Sequence, residues 1–163
     1  MSEVVISRFS EGDVQGVVDV ILPIQREEFG IPITAADQPD LRDIPGFYQV
    51  GSGDFWVAKV AGTVVGTIGL KDIGEGQAAL RKMFVGEAWR GREFGVAAAL
   101  LKGLLAEATA RGIREVYLGT TAKFLAAHRF YEKNGFVEVG ADTLPDRFPR
   151  MAVDTKFYRI TLT

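Results

Sequence analysis

Two hydrophobic periods alternate along this chain, and the switches between them mark its elements. Val4–Arg8 reads as a first strand. From about Ser10 to Phe29, Val14, Val17, Val18, Ile21 and Leu22 recur at helical spacing, with Ser10 and Asp13 as caps and Pro23 as a late kink or stop. Residues 30–54 follow neither period. They carry Pro32, Pro39, Pro45 and several aspartates, and a short helix is expected around Asp40–Val50. Phe55–Val60 and Thr63–Leu70 are rich in β-branched and aromatic residues, and the Ala61-Gly62 turn makes them a hairpin. A turn at Asp72–Gly76 leads to a strand at Gln77–Val85. Phe94–Arg111 is the clearest helix, with Ala97, Leu100, Leu101, Leu104, Leu105 and Ala108 on one face and Gly112 as its stop. Glu115–Gly119 is a strand. Thr121 caps a helix to Asn134, which Gly135 ends, and Phe136–Val139 and Thr155–Leu162 are the last strands. The order βα(α)βββαβαββ predicts one α/β domain over residues 1–163, a mixed sheet covered by helices.

Composition narrows the chemistry. The 163 residues fit a single globular domain, with 47% hydrophobic and 25% charged residues. A net charge of −2 and a pI near 5.5 argue against a nucleic-acid surface. The absence of cysteine excludes thiolate metal sites and cysteine nucleophiles, and one histidine excludes a multi-histidine centre, so no metal is expected. The N-terminus lacks a secretion pattern and no apolar run reaches the ~18–20 residues of a membrane span. A cytoplasmic protein is expected, without membrane or nucleic-acid partners. The oligomeric state is open, a homodimer included.

The segment from Met83 to Ala97 carries the chemistry. A strand ends, a basic turn with Gly91 and Gly95 follows, and a strong helix begins. The first turn of a helix offers unpaired N–H groups and the positive end of the macrodipole, which together attract anions. Glycine lets the backbone approach a ligand, and Arg90 and Arg92 add charge suited to phosphate oxygens. G-x-x-x-x-G-K-[ST] is absent, and Gly74-Glu75-Gly76 lacks the third glycine of a dinucleotide loop.

Arg92-Glu93-Phe94-Gly95-Val96-Ala97 resembles the Gln/Arg-x-x-Gly-x-Gly/Ala motif of the GNAT superfamily, the acyl-CoA-dependent N-acyltransferases. The fuller Arg-Gly-Arg-Gly-x-Gly form would start at Arg90 and finds Glu93 where glycine is common. A second stretch, Ala127-His128-Arg129-Phe130-Tyr131-Glu132-Lys133-Asn134-Gly135-Phe136, looks like the family's A-x-x-[LF]-Y-E-K-x-G-F signature. The resemblance covers residues 55–140 well and the first 50 only in outline.

The resemblance implies a GNAT-like twisted mixed sheet of about seven strands with about four helices. It implies a splay between the fourth and fifth strands, here Gln77–Val85 and Glu115–Gly119. Acetyl-CoA would be held by backbone of Met83, Phe84 and Val85 and by the turn Arg90, Gly91, Arg92, Glu93, Phe94, Gly95, Val96 and Ala97. Acetyl would pass directly to a primary amine of a small molecule or peptide. Backbone N–H groups would stabilise the oxyanion, and Tyr131 would protonate the departing thiolate. Only ~0.04% of a lysine-like amine is neutral at pH 7, so a base is also needed.

The family's fourth-strand glutamate falls on Ala79. Glu75, Glu28 and a backbone-held water are the alternatives. Phe124 stands where some members place a cofactor-binding asparagine. His128 is expected as a partly exposed helix residue. Arg129 and Lys133 are either solvated or contacts to the 3′-phosphate. Asp37, Asp40, Asp43, Glu27 and Glu28 form either a solvated acidic loop or a mouth for a cationic amine. Pro145–Arg150 is either a rim of the acceptor site or a plain turn. Ala79 also leaves room for a non-catalytic acyl-CoA-binding sensor.

Overall fold

The computed structural model describes residues 3–91, 95–121 and 125–162. Arg92, Glu93, Phe94 and Phe124 therefore lie outside the described residues. Seven strands form one sheet in the order β1-β2-β3-β4-β5-β7-β6. They are β1 (Val4–Arg8), β2 (Asp54–Val60), β3 (Thr63–Gly74), β4 (Gln77–Val85), β5 (Glu115–Thr120), β6 (Val137–Val139) and β7 (Lys156–Thr161). All neighbours are antiparallel except β4 and β5, which run parallel. Five helices are described: α1 (Val14–Pro23), α2 (Pro39–Arg42), α3 (Ile44–Phe47), α4 (Val96–Ala110) and α5 (Leu125–Lys133).

The turns set the meander. Ala61 and Gly62 both have positive φ, as the twist of a two-residue hairpin demands, and Glu75 and Gly76 repeat this between β3 and β4. β3 consequently runs on to Gly74, past the predicted end at Leu70. On one face α4 buries Leu100, Leu101, Leu104 and Ala108 against β2–β5, and Tyr131 and Phe136 extend that core towards α5. On the other face Val17 and Ile21 of α1 pack with Leu41, Ile44, Tyr48 and Phe55. Ile73, Ala79, Tyr117, Phe148 and Phe157 form a third cluster on this second side.

The expected helix from Ser10 to Phe29 is three pieces: a 3₁₀ turn at Glu11–Asp13, α1, and a π-helical turn at Ile24–Glu28. Pro23 lacks the N–H of a regular α ladder, and the widened turn follows it directly. The helix expected over Asp40–Val50 is the pair α2 and α3, broken at Asp43, whose side chain accepts the Gly46 N–H.

One buried polar anchor fixes the first half of the sheet. Asp54 is fully buried and accepts from Arg8 Nε at 2.6 Å, Arg111 Nη2 at 2.8 Å and Gln49 Nε2 at 2.8 Å. Burial alone would raise this carboxyl, but the bonds from Arg111, Gln49, Arg8 and the Phe55 N–H outweigh it and hold the group below the ordinary carboxylate range. β1, the start of β2 and the end of α4 are thereby tied together.

Candidate active site

The parallel pairing of β4 with β5 covers only Gln77↔Glu115, Ala78↔Val116 and Ala79↔Tyr117. Beyond Ala79, residues 80–85 keep β3 as a neighbour and have no strand on the β5 side. Alternate backbone N–H and C=O groups of a strand point to each side, so among the described residues those of this stretch that face the gap have no partner strand. The expected splay is present.

A bulge sharpens it. Thr67 pairs with Phe84 and Gly69 with Arg81, so Ile68 faces two residues, Lys82 and Met83. Lys82 takes a left-handed φ of 53°, and its carbonyl accepts the buried Thr67 hydroxyl at 2.7 Å. In a regular strand Arg81 and Lys82 would point to opposite faces. Here both turn to the face covered by α1–α3. Arg81 donates to the Tyr48 hydroxyl at 3.2 Å and the Pro149 carbonyl at 3.2 Å, and Lys82 Nζ lies 3.4 Å from Asp40 Oδ2. Met83 and Val85 return to the α4 side.

At the gap's α4 end, Gly95 opens the helix with φ 63° and ψ 19°. Among the described residues a side chain there would meet nothing within 4 Å. Gly91 also has positive φ, at 117°. Arg90 is already engaged: it donates to both Glu28 oxygens at 2.7 and 2.8 Å and to the Val85 carbonyl at 2.9 Å. Among the described residues, β4 backbone without a partner strand, a helix start without a side-chain cap and space at Gly95 fit a pantetheine arm ending in a pyrophosphate.

Tyr131 projects from α5 to the other wall. It is 8% exposed, ringed by Phe130, Phe136 and Tyr158, and its hydroxyl donates to Met83 Sδ at 3.7 Å. Burial pushes its pKa up to about 12, so it remains a phenol at neutral pH.

The acidic residues fall into structural duties. Asp37 closes a capping box on Thr34 and Asp43 caps α3. Asp40, 4% exposed, accepts the Tyr48 hydroxyl at 2.6 Å and faces Lys82 and Arg81. Glu28 holds Arg90, and Glu75 sits on an exposed turn 3.4 Å from Arg147. Ala79 is fully buried among Tyr117, Phe148 and Phe157. His128 is buried at 4% exposure rather than partly exposed. One ring nitrogen meets the Thr121 carbonyl at 2.8 Å, because its position on α5 faces the sheet. Arg129 and Lys133 are exposed. Pro145–Arg150 packs onto the sheet through Phe148, and the Pro149 carbonyl holds Arg81.

The sequence reading missed Arg81 and Lys82 as site residues. Their clustering depends on the bulge, and a positive φ at a lysine has no sequence signal.

A splayed parallel pair, a glycine-led helix start and a buried tyrosine opposite them define an acyl-CoA-dependent transferase. The model of the acetyltransferase (GNAT) family matches residues 18–136, and this chain belongs to that family. N-acetylaspartate synthetase of Danio rerio is 36% identical over 126 residues, 74% of this chain and 44% of that protein. The chain thus spans less than half the length of the N-acetylaspartate synthetases it matches. A GNAT-family acetyltransferase structure from Staphylococcus aureus Mu50 has 36% identity and a TM-score of 0.92, covering 98% of this chain and 99% of that one. N-acetylglutamate synthase of Neisseria gonorrhoeae, solved with coenzyme A and N-acetylglutamate, shares the fold at 18% identity and a TM-score of 0.78, covering 100% of this chain and 36% of that one. By family the chain is of the acetyltransferase class, and the names of these relatives give no support to a non-catalytic sensor. Among the described residues no helix is long and apolar enough to cross a membrane.

Proposed function

We propose that this chain transfers acetyl from acetyl-CoA directly to the primary amine of a small molecule that carries carboxylate groups, an amino acid of the aspartate kind. The observation that carries the acceptor class is the pair of buried cations on the α1–α3 face of the splay. The Lys82 side chain is 8% exposed with one carboxylate at 3.4 Å, and Arg81 shares that same carboxylate at 3.7 Å. Both cations draw on the Asp40 carboxylate in a site of low dielectric, and Asp154 also faces Arg81. Burial lowers the Lys82 pKa against the pull of Asp40, with Arg81 lowering it further. A substrate carboxylate would relieve that stress. The N-acetylaspartate synthetases among its relatives agree with this acceptor type. Asp40 and Glu28 are matched by cations and Asp37 and Asp43 by backbone N–H groups, which favours this reading over an acidic mouth for a cationic acceptor.

When bound, acetyl-CoA supplies the thioester carbonyl that the amine attacks. Backbone of Met83, Phe84 and Val85 lies along the gap and orients the arm. The turn from Arg90 to Ala97, with Gly91, Gly95, Val96 and the residues Arg92, Glu93 and Phe94 between them, holds the pyrophosphate mainly through backbone N–H groups, because Arg90 enters as an ion pair with Glu28. Tyr131 donates a hydrogen bond to the departing sulfur. Full proton transfer from a phenol of about 12 to a thiolate near 8.5 would run uphill by ~5 kcal/mol, so the phenol stabilises negative charge without giving up its proton. A homodimer is compatible with this site and adds nothing it requires.

The test combines binding and turnover. Acetyl-CoA at 100 times its dissociation constant should stabilise the fold by ~2.7 kcal/mol, with NAD and ATP as inactive controls. Acetylation of aspartate and glutamate should exceed that of amines without carboxylates. Lys82→Met should raise KM for those acceptors by ~10-fold or more, the worth of a hydrogen bond to a charged group. Equal use of all amines would remove the carboxylate reading.

A further inference from the structure

Ala79 leaves β4 without the carboxylate that the reaction needs, and the register of the two diverging strands shows where another one stands. Pairing ends at Ala79↔Tyr117, and the next residues on the same face are Arg81 on β4 and Gly119 on β5. They look at each other across the opening. Gly119 has no side chain, and the place of one is taken: a Cβ built there would lie 2.6 Å from Asp154 Oδ2 and 2.7 Å from its Cγ. The Asp154 carboxyl is therefore laid against the β5 backbone on the face shared with Tyr117. That is one same-face step, ~6.6 Å, along the sheet from the level of Ala79.

Building on the acetyl-transfer reading, we propose that Asp154 is the general base, taking from the acceptor ammonium the proton that must leave before nitrogen can attack.

Three features support the role. The loop that carries Asp154 is fastened over the gap by Arg81, through the Pro149 carbonyl at 3.2 Å and Met151 Sδ at 4.0 Å. Among the described residues the Met151 N–H, at 2.9 Å, is the one hydrogen-bond donor to the Asp154 carboxylate, and it bonds Oδ2. Among the described residues the charged groups that face Asp154 are Arg81 from β4 and Arg150 from its own loop. Burial outweighs their pull and that of the Met151 N–H, raising the carboxyl above its ordinary value. A raised carboxyl is a stronger base, and its ionised form is held at a cost to the fold, as functional carboxylates often are. Arg81 and Lys82, on the β4 side of the opening, would hold the acceptor's carboxylates and present its nitrogen to Asp154.

The step balances. One proton of the ammonium moves to Asp154 and on to solvent past the exposed residues 151–153. The nitrogen–carbon bond forms, the carbon–sulfur bond breaks, and the nitrogen's second departing proton ends on sulfur.

The experiment is the pH profile of kcat/KM for the acceptor in the wild type, Asp154→Asn and Gly119→Ala, with coenzyme A affinity measured in parallel. In the wild type the profile should be flat through neutrality and fall at acid pH as Asp154 protonates. Asp154→Asn should lose ~10²–10⁴-fold at pH 7. It should also regain rate tenfold per pH unit towards the amine's own pKa, because it can use only neutral amine. Gly119→Ala, which displaces the carboxyl, should show the same profile, and formate should restore part of the activity of Asp154→Ala. Coenzyme A affinity should be unchanged in all three. An Asp154→Asn enzyme with the wild-type profile and rate would overturn the base while leaving the transfer reading intact. A wild type that acetylates no amine would overturn both.

Discussion

The two lips of the β4–β5 opening are built on different plans. The proposed acetyl-CoA lip is contiguous chain, the end of β4, the turn after it and the start of α4, with backbone groups as its proposed working parts. The proposed acceptor lip draws side chains from three separated places: Asp40 and Tyr48 from the α2–α3 region, Arg81 and Lys82 from the bulge, and Asp154 from the loop before β7. A lip of backbone needs only a local pattern that bends the chain. A lip of side chains needs the whole sheet to be in place. The first can be held constant while the second is changed residue by residue, which suits a fold that keeps one cosubstrate.

Substitutions on each lip should separate these plans. The largest effect is expected at the wall between them. Tyr131→Phe should lower kcat by ~10²-fold or more while coenzyme A affinity stays within a few-fold. An equal loss of affinity and unchanged kcat at saturation would show that the ring packs and the hydroxyl does nothing. The same variant carries a stability signature. The folded Tyr131 is protonated up to about 12, whereas an unfolded tyrosine loses its proton near 10. Between these values the native state binds one more proton, so stability falls as pH rises through that window, and is fully present below it. Tyr131→Phe should therefore unfold less steeply with pH above 10, by about 2–3 kcal/mol over the window.

On the acceptor lip, Asp40→Asn should cost about 3–5 kcal/mol, because it strands two buried cations. At this length that lowers the midpoint of thermal unfolding by roughly 10 °C. A loss below 1 kcal/mol would mean that Lys82 deprotonates freely when its partner goes. On the cosubstrate lip the effect on stability should be small and the effect on binding local. Gly95→Glu puts a carboxylate in open space at the start of α4, in a backbone conformation that disfavours it. Coenzyme A affinity should fall by ~10²-fold, about 2.7 kcal/mol, with acceptor specificity unchanged. Altered acceptor preference in that variant would mean that the lips are coupled.

Legibility followed the same division. The helix period of α4, the hairpin at Ala61-Gly62 and the glycine-containing turn were readable because each is a property of neighbours in the chain. So was Tyr131, whose motif is a single helix and its stop. The three-part break of the first helix was half readable: Pro23 announced a disturbance and could not say that a π turn would follow. His128 was misplaced because a lone polar residue on an amphipathic helix is assigned outward, and only the position of β7, with Tyr158 beside the ring, puts it inside.

Sequence alone determined that this chain turns between a strand and a helix at a pair of glycines, and that a tyrosine lies on the helix after the next strand. Local spacing and backbone preference suffice for both. The tertiary structure decided which charges meet. The bulge at Lys82 sends two adjacent cations to one face, the bare backbone of Gly119 admits the carboxyl of Asp154, and the short pairing of β4 with β5 opens the gap between them. Those outcomes depend on strand register and on close approach between segments far apart in the chain, and neither is encoded in the order of neighbouring residues.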